Sequence, residues 1–95
     1  MLRVVIADDD LSAAARLRTL LREEQMPIEV IAEVGDGASA LEVILEQKPD
    51  LVFVDVQMPR MNGLEVIRLA KAKHATAKFI IITAYSSFDY AQLAL

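Results

Sequence analysis

Three short stretches hold side chains that could do chemistry together: Asp8-Asp9-Asp10, Asp55 with the Val56-Gln57-Met58-Pro59 that follows it, and Thr83-Ala84. Each comes directly after an apolar run. Carboxylates brought close repel one another and raise one another's pKa unless a cation intervenes. A hard divalent ion relieves that repulsion, and Mg²⁺ prefers a few carboxylate oxygens with water filling its remaining positions. A single Asp at a strand end is more simply a turn former or helix cap, and Asp10 reads that way. Acidic groups from two elements and a hydroxyl from a third point instead to a metal-dependent site, provided the fold brings them together.

The elements that must do so alternate along the chain. Leu2 to Ala7, Ile28 to Val34, Leu51 to Val56 and Phe79 to Thr83 are short and rich in Val and Ile, so they are predicted strands. Three of them are nearly continuous apolar runs, the pattern of strands buried on both faces. Between them the spacing turns helical. Leu11 to Gln25 carries Ala14, Leu17, Leu20 and Leu21 on one stripe and ends before Pro27, with Arg16, Arg18 and Arg22 on the solvated side. Ala38 to Gln47 groups Leu41, Ile44 and Leu45 and stops before Pro49, while Leu64 to Lys73 groups Leu64, Ile67 and Ala70. Asp36-Gly37 reads as a turn, and Ser86 or Ser87 as the cap of a fourth helix. The order βαβαβαβα implies right-handed crossovers and an open, doubly wound parallel sheet. Such sheets bind ligands beyond the carboxyl ends of their strands, where Asp8, Asp9, Asp55 and Thr83 all fall.

Composition narrows the function further. Ten Lys and Arg against fourteen Asp and Glu leave a formal charge of −4 over 95 residues. A surface of that sign offers little to displace counterions from nucleic acid, so direct nucleic-acid binding is not expected. The absence of Cys excludes disulfide scaffolds, thiolate metal sites and cysteine nucleophiles. No apolar run approaches the roughly 18 residues of a membrane span, and no targeting segment is recognisable, so a cytoplasmic protein without membrane contact is expected. His74, the one histidine, lies in the polar stretch Lys71 to Lys78 and reads as a solvated loop residue.

The sequence resembles the receiver domains of two-component response regulators. The resemblance rests on Val4-Val5-Ile6-Ala7-Asp8-Asp9-Asp10, Pro49-Asp50-Leu51-Val52-Phe53-Val54-Asp55-Val56-Gln57-Met58-Pro59, Met61-Asn62-Gly63-Leu64-Glu65 and Ile80-Ile81-Ile82-Thr83-Ala84, and it covers all 95 residues. It implies a flavodoxin-like (CheY-like) fold of strand order 2-1-3-4-5. Asp55 would accept a phosphoryl group from a sensor histidine kinase or phosphotransfer protein. Asp8, Asp9, Asp55 and the backbone carbonyl of Gln57 would hold Mg²⁺. Thr83 and the Ala84 amide would hydrogen-bond the phosphoryl oxygens, and Pro59 and Gly63 would shape the loop past Asp55. The protein would not be a turnover enzyme, since it would promote only its own modification. Residues from Tyr85 to Ala91 are similar to those of receivers joined to helix-turn-helix output domains, which implies a role in transcription.

The resemblance also leaves a gap. The family carries a Lys-Pro pair at the end of a fifth strand, which would fall past Leu95. Residues 1–95 are therefore expected to be a receiver domain incomplete at its C-terminus, with strand 4 as an exposed edge and a homodimer forming through the strand 4 and helix 4 side. Two other readings remain. Asp8-Asp9-Asp10-Leu11-Ser12 fits the opening motif of haloacid-dehalogenase-type phosphohydrolases, with Asp8 as nucleophile, and a receiver that had lost its switch would serve only as an interaction module.

Overall fold

In the computed structural model, which describes residues 1–25 and 27–82, the apolar runs become β1 (Leu2–Ala7), β2 (Ile28–Val34), β3 (Leu51–Asp55) and β4 (Lys78–Ile82). They alternate with α1 (Leu11–Glu23), α2 (Gly37–Gln47) and α3 (Gly63–Ala72). The predicted elements are all found within this span, their ends displaced by a residue or two. The predicted fourth helix, Thr83, Ala84 and Tyr85 lie outside the described residues, as does the helix 4 part of the expected dimer surface.

All strand pairs are parallel and the sheet order is β2-β1-β3-β4. β1 is central, and Val4, Val5, Ile6 and Ala7 are each 0% exposed, as a strand covered on both faces requires. Val4, Ile6, Ala14 and Phe53 form the core under α1, joined by Leu17, Leu21, Ile28, Val30, Leu51 and Ile82. On the opposite face Val5, Ala7, Val52 and Val54 meet Ala40 and Ile44 of α2 and Val66, Ile67 and Ala70 of α3. Each fully buried Val or Ile contributes about 1.5–3 kcal/mol. Leu20 departs from its predicted place in the α1 stripe, being 56% exposed. Ala14, Leu17 and Leu21 already complete the strip that touches the sheet, and Leu20 falls at its margin, over a groove beside β4.

Local chemistry sets the ends of the elements. Asp10 caps α1 by accepting hydrogen bonds from the Ser12 and Ala13 amides, Asp36 caps α2 through the Ser39 amide, and Asn62 caps α3 through the Glu65 amide. α2 stops at Lys48, whose φ of 49° is left-handed and whose N–H closes on the Ile44 carbonyl. The following Asp50 exchanges backbone bonds with both β1 and β4, receiving Lys78 N–H and donating to the Arg3 carbonyl. Its side chain also accepts the Arg3 amide at 2.8 Å. These bonds register β3 between its neighbours.

The β1–β2 ladder slips at Val4/Val5, where a bulge passes over Ile31. Ile31 and Ala32 consequently pack toward the same core, and Glu33 emerges on the α1 side to pair with Arg18.

Candidate functional site

The sheet order puts β1 beside β3, with Ala7 paired to Val54. The residues that follow, Asp8 and Asp55, therefore leave the same edge side by side. Asp8 is held in line with the sheet because its N–H donates to the Val34 carbonyl at 2.9 Å. Its Oδ1 accepts the Asp10 amide, also at 2.9 Å. Asp8 is 6% exposed, the buried charged side chain of the described residues. Asp9 is exposed and Asp55 half-buried, and carboxylate oxygens of Asp8, Asp9 and Asp55 lie within 4.8 Å of one another.

Burial pushes the Asp55 carboxyl up to about 6, a rise that the Gln57 N–H bond partly offsets and that the charges of Asp8 and Asp9 reinforce. The bond from Gln57 N–H reaches Asp55 Oδ1 at 3.3 Å. The ion pairs among the described residues are Arg18 with Glu33 and Arg60 with Asp36, so neither neutralises this cluster. Three crowded carboxylates without a counter-charge fit a hard divalent cation. Asp8, Asp9 and Asp55 are the side chains that would hold such an ion, which would supply the missing counter-charge.

The loop after Asp55 is packed from two directions. Gly63 N–H donates to the Val56 carbonyl at 2.8 Å, and a Cβ on Gly63 would stand 2.2 Å from the Asp55 carbonyl oxygen. Only glycine permits α3 to start so close to the strand that carries Asp55. Met58 is buried in the core and Met61 packs against it. Asp36-Gly37 is more than a turn. Asp36 caps α2, Gly37 opens it, and both touch the Pro59–Met61 segment. The Asp-x-x-Ser spacing of Asp36 and Ser39, a helix-cap pattern, is the signal that could have revealed this.

Of the predicted site residues, the structure brings together Asp8, Asp9, Asp55 and Gln57. Asp10 serves as the α1 cap. β4 ends at Ile82, which pairs with Asp55, and Thr83 is the next residue in sequence. A groove of about 280 Å³ opens beside the carboxylates, lined by Asp8, Arg16, Leu20, Asp55 and Ile82 among others. A larger groove, about 340 Å³, lies at the opposite edge between the C-terminal ends of α2 and α3, and no carboxylate lines it. The carboxylates are in the smaller one.

A doubly wound parallel sheet of this order, with an acidic cluster where its two central strands end, defines a flavodoxin-type α/β domain with a carboxylate-lined edge. The family of response regulator receiver domains matches residues 4–95, and the chain belongs to that family. It is a receiver domain of two-component response regulators. It is 40% identical over 88 residues to an uncharacterized response regulatory protein of Yersinia pestis, a match covering 93% of this chain and 36% of that protein. Among solved structures it is similar to the receiver domain of AraT, a response regulator from Geobacillus stearothermophilus. That match has 40% identity and a TM-score of 0.78, covering 98% of this chain and 72% of that one. It is likewise similar to a DNA-binding response regulator of the LuxR family from Staphylococcus aureus, with 30% identity, a TM-score of 0.85, and 99% and 78% covered. The chain spans less than half the length of the curated relatives that it matches first.

Proposed function

We propose that Asp55 is the phosphoacceptor of this receiver domain, charged by the phosphohistidine of a sensor histidine kinase or phosphotransfer protein. The observation that carries this reading is the meeting of Asp55 with Asp8 and Asp9 at the edge, oxygens within 4.8 Å and no cationic partner among the described residues. An Asp55 oxygen attacks phosphorus, an O–P bond forms, the N–P bond of the donor breaks, and its electron pair returns to the imidazole. Asp8, Asp9, Asp55 and the Gln57 backbone carbonyl are the groups that would hold Mg²⁺. When bound, the ion supplies the charge neutralisation that lets an anionic carboxylate approach an anionic phosphoryl group. The Gln57 N–H engages Oδ1 of Asp55, and Oδ2 is the proposed attacking atom. Thr83 and the Ala84 amide are the proposed donors to the phosphoryl oxygens.

The acyl phosphate so formed is labile, and the mark is reversible. The domain acts as a switch on a covalently linked output domain, a helix-turn-helix transcription unit in this reading, within the cytoplasm. It neither turns over a substrate nor binds nucleic acid itself. Residues 1–95 belong to the receiver domain, and the strand 4 and helix 4 side is the proposed homodimer surface. The phosphohydrolase reading is not favoured, because the whole matched span is that of a receiver and Asp8, its nucleophile, is buried with Oδ1 engaged by the Asp10 amide.

Incubation with acetyl phosphate and Mg²⁺, followed by mass mapping, should place one phosphoryl group on Asp55. Asp55→Asn keeps shape and removes the nucleophile, so labelling should vanish. Labelling that survives Asp55→Asn and disappears in Asp8→Asn would restore the hydrolase. Titration of Mg²⁺ followed by amide NMR should give saturable shifts near Asp8 and Asp55, lost in Asp9→Ala.

A further inference from the structure

The loop that carries Asp55 into α3 runs from Val56 to Asn62, and its far side rests on the start of α2. Gly37 N–H donates to the Pro59 carbonyl at 3.3 Å. Arg60, held at a left-handed φ of 71°, points its guanidinium at the Asp36 carboxylate, 3.7 Å away. Asp36 is itself fixed, accepting the Ser39 amide at 2.8 Å and the Ser39 hydroxyl at 2.9 Å. The closest approach is at Gly37. A Cβ there would lie 1.9 Å from the Met61 carbonyl oxygen and 2.6 Å from both the carbonyl carbon and Cβ of Met61. Most of that obstruction is backbone, so no side-chain rotation could admit it. Gly37 is buried, and it opens α2 with no positive φ to explain a glycine. Contact with the loop accounts for its presence.

We infer that Asp36-Gly37 is a positioning element for the metal and phosphoryl site, setting the path of Pro59–Met61 and through it the Gln57 peptide. This rests on the reading of Asp55 and Gln57 given above. Gly63 anchors the loop at its α3 end against Asp55 itself, while Gly37 anchors its outer bend against a separate helix. Held at both places, the two residues between Asp55 and Met58 have little freedom, and the Gln57 carbonyl is offered in one direction. Groups that orient a metal's ligands without touching the metal typically govern about 10–100-fold in affinity. Neither Asp36 nor Gly37 touches the reacting atoms, so their part is positioning and not catalysis.

The test compares Gly37→Ala with two controls in the full chain. Gly35→Ala places a methyl no nearer than 3.9 Å to its neighbours, an ordinary contact. Ile44→Val loosens the buried face of α2 away from the loop. Readouts are the Mg²⁺ dissociation constant by NMR, the rate of labelling by acetyl phosphate, the metal-free amide shifts of residues 57–62, and the melting curve. Gly37→Ala should displace the metal-free shifts of the loop and weaken Mg²⁺ binding about tenfold or more, with slower labelling. Both controls should keep wild-type affinity, although Ile44→Val melts earlier. Should Gly37→Ala fail to fold, the double variant Asp36→Asn with Arg60→Ala decides the matter. It cuts the tether while leaving a capping side chain at position 36, and it should shift the loop amides and weaken Mg²⁺ binding measurably. Wild-type affinity and labelling in a folded Gly37→Ala would overturn the inference, as would equal loss of affinity in Ile44→Val. If the wild-type chain takes up neither Mg²⁺ nor a phosphoryl group, it is the phosphoacceptor reading that fails.

Discussion

Asp55→Asn should stabilise the metal-free fold at neutral pH and lose that advantage in acid. The Asp55 carboxyl is raised from 3.8 to about 6 in the folded chain, first by burial and then by Asp8 and Asp9. Below 3.8 the group is protonated folded and unfolded alike, and it has no effect on stability. As pH climbs from 3.8 to 6 the unfolded chain sheds the proton first, so the folded state binds more protons and stability falls. Above 6 the whole penalty is present. A shift of about two units corresponds to roughly 3 kcal/mol if fully expressed, and screening at a half-exposed site reduces it to about 1–2 kcal/mol. In a domain of this size each kcal/mol moves the melting temperature by about 4–8 °C. Urea melts followed by circular dichroism, in chelator at pH 4, 5, 6, 7 and 8, should show wild type and Asn variant together at pH 4 and progressively apart to pH 7. With Mg²⁺ at about 100 times its dissociation constant, wild type alone gains roughly 2.7 kcal/mol, and the order reverses. A gap independent of pH, or an Asn variant less stable than wild type at pH 7 in chelator, would refute the account of a crowded carboxylate.

Other perturbations separate the roles of neighbouring residues. Asp10→Ala should cost about 1 kcal/mol by removing the α1 cap and leave Mg²⁺ affinity unchanged, with Asp10→Ser restoring stability; a metal-binding defect in the NMR titration would give Asp10 a ligand's part. Gly63→Ala should cost at least about 1–3 kcal/mol through overpacking against the Asp55 backbone, read as an earlier urea midpoint with unchanged slope. Lys48→Gly should stabilise by up to about 1 kcal/mol, because Lys48 ends α2 in the left-handed region that glycine enters freely; a lower melting temperature would count against that reasoning.

The site was legible because topology and chemistry could be read together. The Val- and Ile-rich runs ending in Asp8 and Asp55 identified two buried strands and the edge at which their carboxylates had to emerge. The part played by Asp36-Gly37 is not legible in the sequence. As a dipeptide the pair has the composition of a turn, and only Met61, far along the chain, makes a side chain at position 37 intolerable.

The sequence by itself determined the elements, the parallel doubly wound arrangement and the acidic residues at its edge, since apolar periodicity, caps and helix stops act over a few neighbouring residues. The tertiary structure decided what depends on distant ones. The bulge at Val4/Val5 follows from how β2 seats against β1 and turns Glu33 toward Arg18. Leu20 lost its place in the core because the width of the sheet under α1, not the helical period, sets how many side chains are covered. The proton affinity of Asp55 belongs to the assembled edge, for burial and the nearness of Asp8 and Asp9 exist only once β1 and β3 lie side by side.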